Sequence, residues 1–164
     1  HPFQFLKGFF MGLFFFHAQY MHKPQHDIVY RQEADPSIAP SEPPMAPTEA
    51  DWSQTITTDP VTLFRYSALT FNSHRIHYDR PYCIEVENYD GLVIHGPLTT
   101  TWLLDFVRRQ VPDAKINHFS FRAISPLFDT NPVTIAGKFE DGKIDLWAAN
   151  HQGHLAMQAT ATLA

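Results

Sequence analysis

The chain has 164 residues, 44% of them hydrophobic and 18% charged, enough to bury one core and at most a fragment of a second. A formal net charge of −5 and a pI near 6.0 argue against the basic face that phosphate-backbone binding demands, so nucleic acid is set aside. A single cysteine, Cys83, excludes an internal disulfide and a thiolate zinc site and fits a reducing compartment; the ten histidines lack ligand spacing, so no metal is expected.

In chain order, residues 3–21 are rich in phenylalanine (Phe9, Phe10, Phe14, Phe15, Phe16) and carry Lys7 as their one full charge. The apolar run falls short of the roughly 20 residues that cross a bilayer, and no convincing cleavage pattern follows it, so packing against a partner or a neighbouring module is expected. His1, His17, His22 and His26 read as a solvated cluster. Residues 27–31, Asp-Ile-Val-Tyr-Arg, read as a short strand. The composition then shifts to a proline-rich, acidic stretch that cannot pack a core. The expected organisation is therefore a remnant of a preceding module over residues 1–34, a linker over 35–50 and a whole domain over 51–164.

Within that domain Thr58-Asp59-Pro60 supplies an N-cap candidate and a first-turn proline, and Leu63, Phe64 and Leu69 give part of an apolar face to a helix ending near residue 69. His95-Gly96-Pro97 opens a longer helix, about 97–110, whose Leu98, Trp102, Leu103, Phe106 and Val107 form one stripe. Residues 117–123, 133–139, 144–149 and 155–163 read as strands, with hairpin signals at Asp141-Gly142 and Gln152-Gly153. A long helix followed by an antiparallel meander predicts an α+β fold with the sheet wrapped around the helix.

Two segments are richer in functional groups than packing requires. Residues 70–79, TFNSHRIHYD, follow directly on a helix end. Residues 91–98, GLVIHGPL, turn through Gly96 into a helix N-terminus, where unpaired N–H groups and the positive end of the helix dipole suit a developing oxyanion.

These two segments resemble the hallmarks of the MaoC-like (R)-specific enoyl-thioester hydratases and 3-hydroxyacyl-thioester dehydratases. The longer run FRYSALTFNSHRIHYDRPY resembles most the subgroup that includes 3-methylfumaryl-CoA (mesaconyl-C4-CoA) hydratases and type 2 dehydratases. The resemblance runs from about residue 51 to the end, and DIVYR resembles the last strand of a preceding repeat. It implies a hot-dog fold and a hydro-lyase with no metal or redox cofactor, CoA entering as part of the substrate. It also implies a catalytic set of Asn72, His77 and Gly96. Asn72 stands where the family pattern has an aspartate; an amide is no base, so His77 becomes the principal acid/base.

Asn72 suits a turn or cap as well as it suits orienting water, His77 could be a structural buried imidazole, and Asp79 reads as a helix cap. Arg65, Arg75 and Arg122 are candidate cations for a carboxylate or CoA phosphates, with His95 and Pro97 beside them and His74 a weaker candidate. The expected function is reversible hydration of an enoyl-CoA, a mesaconyl-like one included. Alternatives are a 3-hydroxyacyl-thioester dehydratase of fatty-acid synthesis, a silent acyl-thioester-binding hot-dog subunit, or thioesterase activity on the same fold. A homodimer or a second hot-dog repeat is the expected partner. The expected location is cytoplasmic, or the mitochondrial matrix in a eukaryote.

Overall fold

The structure is a computed structural model that describes residues 42–164. The aromatic segment 3–21, the histidine cluster and the strand expected at 27–31 lie outside the described residues. The element order is β1 (Trp52–Ile56), α1 (Pro60–Thr70), a 3-10 turn (Arg75–His77), α2 (Arg80–Glu85), α3 (Gly96–Gln110), β2 (Ile116–Ala123), β3 (Val133–Glu140), β4 (Lys143–Ala149) and β5 (Leu155–Leu163). The five strands form one antiparallel sheet in the order β1-β3-β4-β5-β2.

Local chemistry sets these boundaries. The Asp59 carboxylate caps α1 by accepting from the Thr62 N–H at 2.8 Å, Pro60 occupies the first turn, and Phe71 ends the helix in the left-handed region at φ 52°. The face α1 buries differs from the expected one: Leu63 and Ser67, one turn apart, point inward, while Phe64 and Leu69 are 59% and 74% exposed. A short helix with two apolar residues on either side of the stripe gives no unique moment, so the sequence misplaced the face. Asp141 and Gly142 both take positive φ, 47° and 76°, as a tight hairpin turn between twisted strands requires, and Gly153 at φ 87° closes the β4–β5 loop.

Helix α3 packs across β3, β4 and β5. Leu103, Phe106 and Val107 meet Ile135, Ile144, Leu146, Ala148, Ala159 and Ala161 in one core, each side chain at most 5% exposed. Small residues on β4 and β5 let the helix approach the sheet, and each large apolar side chain so buried contributes about 1.5–3 kcal/mol. This is the hot-dog arrangement, an α+β fold in which the sheet curls around one central helix. The last part of the proline-rich stretch also touches the sheet: Ala46 N–H donates to the Gly153 carbonyl at 2.9 Å, and Leu155 N–H donates to the Pro44 carbonyl at 2.8 Å.

Candidate active site

Between the 3-10 turn, the start of α3 and the end of β2 lies a cavity of about 360 Å³. Its polar lining comes from His74, His77, Thr99 and Ser125, with the Gly96 backbone at the helix start. Its apolar lining includes Val93, Ile94, Ile124, Leu127 and Met157.

His77 is 5% exposed, and its Nδ1 lies 2.7 Å from the Val93 carbonyl oxygen. A carbonyl only accepts, so Nδ1 carries the hydrogen and Nε2 is left with its lone pair. The fully buried His95 ring stacks on His77, centroids 3.7 Å apart at 16°, and its Nε2 lies 2.9 Å from Ser67 Oγ. Tyr66 packs against His95 at 4.7 Å, and His74 meets His77 edge-on at 5.7 Å. Burial holds both inner imidazoles neutral. Desolvation pushes His77 down to about 4 against the opposing hydrogen bond to Val93, with the His74 charge lowering it further. Desolvation and then the charges of His77 and His74 push His95 down to about 3. Desolvation also lowers His74, and burial pushes the Tyr66 phenol up to about 12.

Gly96 follows His95 directly and opens α3. The His95 side chain makes no capping bond, so the first-turn N–H groups of Gly96 and Leu98 have no acceptor within the helix or from its cap. A Cβ built on Gly96 meets only Met157 Cε, at 3.9 Å, so protein packing does not demand the glycine; its bare face opens onto the cavity.

The structure brings His74, His77 and the Gly96 backbone to the cavity and stacks the fully buried His95 behind His77, off the cavity lining, while the other expected site residues do not line it. The Asn72 Oδ1 accepts the His74 backbone N–H at 3.0 Å, forming the turn that presents His74 to the cavity, and Asn72 is not among the lining residues. Arg75 is exposed, bonds Asp79 Oδ2 at 2.7 Å and lies over the Tyr82 ring at 4.1 Å. Asp79 caps α2, as the sequence suggested, by accepting from the Tyr82 N–H. Arg65 and Arg122 are exposed and do not line the cavity; the charge within β2 faces outward, where it needs no buried partner. Pro97 serves as first-turn residue of α3. Ser67, Tyr66 and the Val93 carbonyl were missed. Leu63 and Ser67 at i and i+4 hinted at the first, whereas a backbone carbonyl has no side-chain signal.

Among the described residues no group of three or more His, Cys, Asp or Glu is placed to hold a metal ion, and no helix is long and apolar enough to cross a membrane. Residues 16–129 match the family described as hydroxyacyl-thioester dehydratase type 2. The chain is 42% identical over 147 residues to a mesaconyl-C(4)-CoA hydratase of Chloroflexus aurantiacus, covering 90% of this chain and 52% of that protein. It is also 42% identical over 85 residues to the mitochondrial hydroxyacyl-thioester dehydratase type 2 of Schizosaccharomyces pombe, covering 51% and 28%. This chain therefore spans about half the length of the first relative and less of the second. A MaoC-like dehydratase of Phytophthora capsici superposes with a TM-score of 0.61 at 17% identity over 77% of this chain and 46% of that one, a likeness of fold. The chain belongs to the hydroxyacyl-thioester dehydratase type 2 family.

Proposed function

We propose that this domain is a hydro-lyase that adds water reversibly to the double bond of an enoyl thioester. The observation that carries this is the His77 ring, its Nδ1 hydrogen spent on Val93 and its Nε2 lone pair free, in a cavity shared with the open N–H end of α3. In hydration the thioester oxygen accepts from the Gly96 end of the helix, which draws electron density from the β-carbon. His77 Nε2 takes a proton from water as the oxygen bonds to that carbon. The same nitrogen then returns the proton to the α-carbon, so water is added whole and the imidazole ends neutral. Dehydration retraces these steps. A histidine held near 4 is a weak base but a strong conjugate acid, suited to the return step.

Asn72 acts through the turn it forms, and the exposed Arg75 and Arg122, with Arg65, serve at most outside the cavity. The reading asks for no cofactor beyond the CoA or carrier arm of the substrate. It retains the division into linker and hot-dog domain. A second hot-dog module, from another copy or from the same protein, pairs with it, because β1 and β2 leave both sheet edges without a neighbouring strand among the described residues. The reading places the protein in the cytoplasm, or in the mitochondrial matrix of a eukaryote.

The Chloroflexus relative favours a mesaconyl-type acyl group with a second carboxylate. A second reading, dehydration of uncharged 3-hydroxyacyl thioesters, is favoured by the cavity itself: no lysine or arginine is among the described residues that line it. Loss of enoyl-thioester absorbance with crotonyl-CoA and mesaconyl-C4-CoA separates the two. Turnover of either, slowed at least about a hundredfold in His77→Gln, is the expected result. Undiminished turnover in that variant refutes the assignment of His77, release of free thiol in its place marks a thioesterase, and no turnover of any acyl thioester marks a silent subunit.

A further inference from the structure

The Val93 carbonyl decides which nitrogen of His77 keeps its hydrogen, yet residues 91–94 belong to no strand of the sheet; Val93 makes only an isolated bridge to Phe128. No ladder aims that carbonyl. Three consecutive peptides are pinned instead: Leu92 N–H donates to Asp129 Oδ1 at 2.9 Å, Val93 N–H to the Ile76 carbonyl at 2.9 Å, and Ile94 N–H to the Leu127 carbonyl at 2.8 Å. The Asp129 N–H returns a bond to the Leu92 carbonyl at 3.0 Å.

The side chain in this set is unusual. The Asp129 side chain is 1% exposed, and its second oxygen accepts from Arg80 Nη2 at 2.5 Å, from the first position of α2. A carboxylate left without a partner at that depth would be costly, so the arginine bond both offsets that cost and fixes the side chain. Gly91 makes room for it: a Cβ there would lie 2.8 Å from Asp129 Oδ1 and 2.6 Å from Thr130 Cγ2.

We propose that Arg80 and Asp129 are positioning residues, a clamp between α2 and the 91–94 segment that holds the Val93 carbonyl against His77 Nδ1 and so keeps Nε2 unprotonated toward the cavity. This rests on the reading of His77 as the acid/base, but its test does not need activity. With 15N-labelled histidine, the His77 signals are identified by their absence in His77→Gln. At neutral pH the native protein should show one tautomer, a protonated Nδ1 and a bare Nε2. Arg80→Gln and Gly91→Ala should each give a folded protein in which the Nε2-protonated tautomer is populated, with kcat falling in proportion to the fraction lost. Arg80→Lys, which keeps the charge, should restore most of it. Asp129→Asn, which can still accept from Leu92, should be milder than Asp129→Ala; should the latter not fold, Arg80→Gln and Gly91→Ala carry the test. A single Nδ1-protonated tautomer surviving in both of those folded variants overturns the clamp, as does an Nε2-protonated His77 in the native protein. The native tautomer with variant-dependent loss, but no thioester turnover, supports the clamp and sinks the proposed function instead.

Discussion

Acid should unfold this domain through its stacked histidines. His77 and His95 sit 3.7 Å apart in the core, held down to about 4 and about 3, against 6.5 for an ordinary exposed imidazole. Between those values the unfolded chain binds protons that the native chain refuses. Their contribution to stability is therefore complete above about pH 6.5 and is lost as pH falls toward 4. A ring so held gives a slope approaching about 1.4 kcal/mol per pH unit, so the stacked pair removes on the order of a few kcal/mol between about pH 6 and 4.5, out of a typical 5–15. Urea unfolding at a series of pH values, followed by the fluorescence of the buried Trp147, measures this directly. His77→Gln removes one titrating ring and should flatten the slope by about 1.4 kcal/mol per pH unit. The capping carboxylates Asp59 and Asp79, both held below the usual range by hydrogen bonds, lose their contribution only at more acid pH and are common to both proteins. Parallel stability curves for native protein and variant would refute the claim that the imidazole is buried uncharged.

His77→Gln should cost 10²- to 10⁴-fold in kcat, the range typical of a positioned acid/base, while steady-state KM for the acyl thioester moves little. In brief assays started from neutral pH, kcat/KM of the native enzyme should fall as pH drops through about 4, where the base becomes protonated. Gly96→Ala meets only Met157 and gains helix propensity, so stability measured by urea unfolding should hold or rise by up to about 1 kcal/mol while KM rises; an unchanged KM removes Gly96 from the binding surface. Asn72→Asp keeps the acceptor of the turn and should leave kcat within about twofold, whereas Asn72→Ala should lower stability by about 1 kcal/mol. A large gain in kcat for Asn72→Asp would show that this position reaches the substrate. Leu103→Ala, at a fully buried position of α3, should cost about 2–5 kcal/mol in the same unfolding assay.

The elements most legible in the sequence were those with a strong period or a turn residue of fixed chemistry. The α3 stripe and the two glycine hairpins placed the helix and β2 to β5 within a residue or two of their observed ends. Strand β1 was not read, because its five residues bury only partly and follow directly on the proline-rich stretch. Helix α2 was visible only as the cap Asp79, since six residues are too few to show a period. In the site, His77 and Gly96 were legible because two separate segments both carried polar chemistry beside a helix end. The stacking of His95 on His77 was not, because two rings from segments 18 residues apart meet only through the tertiary fold. The direction of the arginines was not legible for a related reason: charge in a sequence says nothing of which face it leaves by, and Arg75 and Arg122 leave toward solvent.

Product mass after reaction in heavy-oxygen or heavy water is the most direct measurement. Incubated with crotonyl-CoA in H₂¹⁸O, the protein should yield a 3-hydroxyacyl thioester carrying one heavy oxygen, and in D₂O one deuterium on the α-carbon, with both products formed at least about a hundredfold more slowly by His77→Gln. Unlabelled thioester recovered from the native protein, or equal labelling by the variant, would contradict water addition at this imidazole.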